Sequence, residues 1–112
     1  MIIADLHIHS KYSRATSKNL SFENLVKYAR IKGIDVLGTG DFTHPIWFEE
    51  IKKLEGKDGI YYLDGFPFVI SGEVSLMFSQ NGGRRVHLVL LVPNIKVAEK
   101  INSYFDGHGK RL

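Results

Sequence analysis

Short apolar runs alternate with amphipathic stretches along this chain of 112 residues, and that alternation constrains the fold more than any other feature. Residues 2–6 read as a first strand. Ser21 can cap a helix over residues 22–32, whose Phe22, Leu25, Val26, Ala29 and Ile31 fall mainly on one face, and Gly33 is placed to end it in a left-handed conformation. Residues 34–37 form a second short strand. Pro45 stands where a first helical residue would, so residues 46–54 are predicted helical, with Gly56 after them. A third strand is expected over 68–70. Residues 74–79 and 85–92 flank Asn81-Gly82-Gly83, a hairpin signal, and residues 95–105 read as a third helix before a polar tail over 106–112. This is the pattern of an α/β protein with parallel strands and right-handed crossovers. Such folds bind ligands at the carboxyl ends of their strands.

A chain of this length builds one domain around one core. It is 44% hydrophobic, with seven Phe and five Tyr, which argues against disorder. The net charge of +3 suits an anionic substrate but is too small to define one. Cysteine is absent, which excludes disulfides and thiolate metal sites. The longest strongly apolar run, residues 86–93, contains His87 and is far too short to span a bilayer. The N-terminus lacks the basic stretch of a signal peptide, so a cytoplasmic protein with no membrane partner is expected.

Four groups of residues can carry chemistry. In Asp5-Leu6-His7-Ile8-His9 the two histidines alternate, so on an extended segment they point to one side and can grip one cation, with Asp5 orienting a ligand or joining the metal. In Gly38-Thr39-Gly40-Asp41-Phe42-Thr43-His44-Pro45 two glycines allow a tight turn after a strand, and Asp41 and His44 then project from a loop before a helix; Asp41 or Thr43 can equally cap that helix. Glu73 follows the third predicted strand, where a carboxylate can bridge two cations or simply face solvent. His87, within an apolar strand, suits either a core position or a ligand. Lys11 and Arg14 lie in the loop after His9, where a cation repels metal but attracts a substrate phosphate. Arg84-Arg85 and Lys110-Arg111 suit phosphate contacts or a solvated surface, and Trp47, Phe48, Tyr61 and Tyr62 suit base stacking or core packing.

Taken in order, these residues resemble the PHP (polymerase and histidinol phosphatase) family of phosphoesterases. Asp5-x-His7-x-His9-Ser10 is similar to the family's first motif, and Gly38-Thr39-Gly40-Asp41 resembles the second, usually Thr-Asp-His. Glu73 and His87 match its bridging glutamate and the next metal histidine, so the resemblance runs the length of the chain. It implies the N-terminal portion of a distorted (β/α)7 barrel, with residues 1–112 as a partial metallophosphoesterase domain holding two or three divalent ions; Zn, Mn or Fe suit such donors about equally. It implies further that His7 and His9 bind a first metal, Glu73 bridges first and second, and His87 binds the second. Asp41 falls where a third metal usually has a histidine, and Arg14 where an Asp or His often completes that site. His7, His9, Asp41 and Glu73 are the expected catalytic set.

Within the family, Gly-Thr-Gly-Asp-x-x-His-Pro, a basic residue at position 14 and Ser71-Gly72-Glu73-Val74 are similar to the endonuclease Q group, whose members nick DNA on the 5′ side of deaminated bases. The resemblance thus implies a DNA repair endonuclease with DNA containing deaminated bases as partner. A small-molecule phosphatase of the histidinol-phosphate type and a catalytically silent fragment are the alternatives. A closed α/β barrel needs roughly 200 or more residues. The chain is therefore expected to be the first half of such a protein, inactive alone, with an unpaired strand edge around residues 85–92 that favours self-association.

Overall fold

The computed structural model describes residues 1–8, 21–78 and 83–108. His9, Lys11, Arg14, Asn81-Gly82 and Lys110-Arg111 lie outside the described residues, as do the side chains of Arg84 and Arg85. The chain runs β1 (Ala4–Asp5), α1 (Phe22–Lys32), β2 (Val36–Gly38), α2 (Pro45–Lys52), β3 (Glu55–Lys57), β4 (Ile60–Leu63), β5 (Phe66–Phe78), β6 (Arg84–Val92) and α3 (Ile95–His108). Among the described residues it is a mixed α/β arrangement of one six-stranded sheet and three helices.

Helix α1 has the expected limits because both ends are chemically marked. The Ser21 hydroxyl accepts from the Asn24 N–H at 3.3 Å, and Gly33 closes the helix at φ 73°. That closure also moves the next strand. The Ile34 N–H is spent on the Ala29 carbonyl at 2.8 Å, so β2 starts at Val36 rather than at residue 34. Pro45 is the first residue of α2, which ends at Lys52, two residues before the expected limit; α3 runs three residues beyond its own, to His108.

The parallel core is β1-β2-β5, with Ala4 opposite Val36 and Leu37 opposite Phe68. Strand β1 is shorter than its apolar run because it pairs only with β2, and Ile2 and Ile3 are left exposed. Two strands are additional to the predicted set. Asp58-Gly59 and Asp64-Gly65 both have positive φ at each residue, the signature of two-residue type I′ hairpin turns, and they fold β3, β4 and β5 into an antiparallel meander. The two segments expected at 68–70 and 74–79 are one strand of 13 residues. Its first part lies between β2 and β4, and from Ile70 onward it pairs with β6 in an antiparallel ladder that Ser71 and Gly72 do not interrupt.

Leu37, Phe68 and Ile70 are buried and alternate with half-exposed Val36 and Val69, so the core lies on one face of the sheet. There they meet Phe22, Leu25, Val26 and Ala29 of α1, Trp47, Phe48 and Ile51 of α2, and Ala98 of α3. Trp47 stacks on Phe22 with centroids 4.1 Å apart, and Phe68 meets the edge of Phe22 at 5.1 Å. Ala4, Leu6, Val36, Val69 and Leu91 line an open cleft elsewhere on the sheet. Among the described residues no helix is long and apolar enough to cross a membrane.

Candidate metal centre

Alternation along β5 puts Val69, Ser71, Glu73 and Ser75 on the side opposite Phe68 and Ile70. Glu73 therefore sits inside a strand, not after one as the sequence suggested. His7, just beyond β1, brings Nε2 to 2.7 Å from Glu73 Oε2. His87 lies opposite Ser75 in the β5–β6 ladder, and its Nδ1 is 2.5 Å from Glu73 Oε1 and 3.1 Å from Ser75 Oγ. The Glu73 carboxylate of β5 thus has an imidazole nitrogen at each oxygen, one from His7 just beyond β1 and one from His87 of β6.

The hydrogen bond from His7 holds the Glu73 carboxyl below the usual carboxylate range against the opposing pull of burial, with the nearby charge of His87 adding to the lowering. A lowered folded-state pKa has a definite sign. The contact adds stability above the ordinary carboxylate pKa and loses it as pH falls through the lowered value, so Glu73 is an anion across the neutral range.

The remaining candidates are placed as follows. The Asp5 carboxylate accepts from the backbone N–H of His7 at 3.4 Å, which shapes the chain at His7. Asp41 lies on the loop after β2, with φ 47°, and its neighbour Phe42 donates to the Ser71 carbonyl at 3.3 Å. This packs the loop against β5 two residues before Glu73. His44, a candidate ligand, caps α2 instead of Asp41 or Thr43: its Nδ1 accepts from the Trp47 N–H at 3.5 Å. Two glycines make the approach possible. A Cβ on Gly40, which has φ 66°, would lie 2.4 Å from the Ile8 carbonyl, and one on Gly72 would lie 2.6 Å from the Phe42 ring.

The donor chemistry fits divalent cations. His7 and Glu73 form one pair of nitrogen and oxygen donors, and His87 and Glu73 form another, around a carboxylate able to bridge. Among the described residues no three His, Asp or Glu side chains form a group that could hold one ion. Each half of the cluster is therefore a pair, and His9, expected beside His7, lies outside the described residues.

Sequence reasoning passed over Ser75, Thr39, Ser71 and Asn102. Ser75 was findable from its spacing, two residues past Glu73 on an extended strand. Thr39 and Ser71 are buried and bonded to each other: Thr39 Oγ1 accepts from the Ser71 N–H at 3.1 Å, and Ser71 Oγ accepts from the Gly40 N–H at 3.0 Å. Asn102 was marked only by being polar one turn after Ala98 on an otherwise apolar stripe.

Fold and cluster together define a mixed α/β chain that carries a histidine-flanked carboxylate beside its parallel strands. In known structures this fold is found in endonuclease Q. The lesion-specific endonuclease PfuEndoQ from Pyrococcus furiosus superposes with a TM-score of 0.81 at 30% identity, over 96% of this chain and 26% of that one. An endonuclease Q in complex with a 27-mer duplex substrate, with an abasic lesion at the active site, gives 0.83 at 32% identity, over 98% of this chain and 27% of the other. By sequence, an uncharacterized protein of Methanocaldococcus jannaschii is 34% identical over 108 residues, which are 96% of this chain but only 12% of that protein. No family model matches the chain.

Proposed function

We propose that this chain is the metal-binding N-terminal part of an endonuclease that cuts DNA at damaged bases. The observation that carries the reading is Glu73 with an imidazole at each oxygen, in a fold shared with a lesion-specific endonuclease. His7 Nε2 and Glu73 Oε2 would hold one divalent ion, and His87 with Glu73 Oε1 a second; Zn, Mn and Fe suit these donors. Such ions, when bound, supply positive charge to a phosphodiester and make a water acidic enough to attack it. Asp41, His9 and the basic pair Lys11 and Arg14 belong to the same reading, the first two as further donors and the last two toward a substrate phosphate. The deaminated-base specificity, the DNA repair role and the cytoplasmic setting are parts of it too.

The same reading gives the chain a place in a larger PHP barrel. The chain spans about a quarter of each endonuclease Q it resembles. Its cleft lined by Ala4, Leu6, Val36, Val69 and Leu91, and the exposed Val86, Leu88 and Leu91 of β6, are apolar surfaces that further strands would cover.

A chimera tests this proposal. Residues 1–112 replace the matching segment of the Pyrococcus furiosus enzyme, and nicking is followed on duplexes containing deoxyinosine, uracil or an abasic site. The chimera is expected to nick, and Glu73→Gln to reduce nicking by at least about a hundredfold, in line with loss of a metal's role in the chemistry. A folded chimera that hydrolyses histidinol phosphate but leaves DNA intact would replace this reading with the phosphatase one.

A further inference from the structure

We propose that Asn102, on α3, is a positioning residue for Asp41: it fixes the left-handed backbone of the Asp41–Phe42 loop beside the Glu73 strand. The inference rests on Asp41 being part of the proposed metal site.

Asp41 has φ 47°, a left-handed conformation uncommon outside glycine, which aspartate enters more readily than most residues and which its surroundings here support. Its surroundings do so through backbone groups. The Thr39 N–H donates to the Val69 carbonyl at 2.8 Å, the Gly40 N–H to Ser71 Oγ at 3.0 Å, and the Phe42 N–H to the Ser71 carbonyl at 3.3 Å. On the acceptor side, the Thr39 carbonyl takes Trp47 Nε1–H at 3.0 Å and the Asp41 carbonyl takes the His44 N–H at 2.9 Å. The Phe42 carbonyl takes the Asn102 Nδ2–H at 3.1 Å, from 60 residues along the chain. Asn102 thus ties this loop to α3.

The second observation is the other half of the same amide. Asn102 is 1% exposed, and its Oδ1 is buried with no hydrogen-bond partner among the described residues. A buried carbonyl left without a donor is unfavourable. Packing alone would place an apolar side chain at this position, beside Ala98 and Ile101. What an apolar side chain cannot do is donate to the Phe42 carbonyl. The structure therefore assigns Asn102 to the loop rather than to the core.

Asn102→Leu separates the two roles, because it keeps the forked shape of the side chain at a somewhat larger volume, removes the unpaired oxygen and deletes the donor. The variant exchanges one unpaired buried oxygen for another, the Phe42 carbonyl, and is expected to melt close to the wild-type temperature. Amide hydrogen exchange at Phe42 and His44 should speed up by about tenfold or more, while exchange at Ala29 and Phe68 stays unchanged, as local opening differs from global unfolding. Its Mn²⁺ dissociation constant should rise about 10- to 100-fold, the usual effect of losing a group that supports a ligand. A purely structural residue would instead lower the melting temperature and speed exchange throughout the core. Unchanged exchange at Phe42 and His44 in a folded variant overturns the proposal. If Asn102→Leu does not fold, Asn102→Ala is read in the same way, and failure of both to fold assigns Asn102 to the core. Absence of Mn²⁺ binding in the wild-type chain overturns the metal reading alone, since exchange still decides what Asn102 does to the loop.

Discussion

Trp47→Ala is expected to remove about 3–5 kcal/mol of folding stability, the usual range for deleting a large buried aromatic side chain. Trp47 is 1% exposed and stacks on Phe22, which in turn meets Phe68 in the centre of the sheet. The substitution therefore opens a cavity where α1, α2 and β5 meet. It also leaves the Thr39 carbonyl without its donor, adding about 1–3 kcal/mol of unpaired polar burial to the packing loss. Small domains have about 5–15 kcal/mol in total, so most of the margin would go. Urea unfolding followed by circular dichroism measures the effect; fluorescence is unsuitable because this is the chain's single tryptophan. Trp47→Phe keeps an aromatic ring against Phe22 and loses the hydrogen bond and part of the buried ring volume, so it should cost less than Trp47→Ala. A Trp47→Ala chain within about 1 kcal/mol of wild type would contradict the packing described here.

The 112-residue chain, loaded with Mn²⁺ or Zn²⁺, is expected to show no turnover above buffer on inosine-containing DNA or on histidinol phosphate. The described donors form two pairs around Glu73 and no group of three around one point. Two donors from the protein hold a cation weakly and leave it exposed to water, where its charge is screened and its position loose. Turnover that His7→Ala abolishes would show that these residues suffice, and would refute this expectation.

What could be read from the sequence was what local chemistry marks. Helix α1 was legible to the residue because Ser21, a 3.6-residue apolar period and Gly33 all agree. The β3–β4 and β4–β5 hairpins were legible in principle, through Asp58-Gly59 and Asp64-Gly65, but β3 is a short polar strand and β4 only four residues long. The length of β5 was not legible. Ser71-Gly72 has the composition of a turn, and only pairing with Leu91 and Leu90 keeps it extended. The site divides in the same way. His7 and Asp41 were recognisable as chemical types at strand ends, and Glu73 as a chemical type though it lies inside its strand. That His87 meets Glu73 depends on the β5–β6 register, which places it opposite Ser75 and diagonal to Glu73. The capping role of His44 depends on where Pro45 starts α2, and the hold of Asn102 on Phe42 spans 60 residues. No local pattern encodes contacts of that kind.

The central claim is that His7, Glu73 and His87 hold divalent metal. The most direct measurement is a Mn²⁺ titration of the purified chain by calorimetry, with stoichiometry checked by elemental analysis, for wild type and for Glu73→Gln. The amide keeps the side chain's size but removes the charge and one acceptor oxygen. At least one ion per wild-type chain is expected, with an affinity more than about a hundredfold weaker after Glu73→Gln, beyond what loss of a merely supporting group causes. A folded wild-type chain that binds no ion, or an affinity untouched by Glu73→Gln, would contradict the claim.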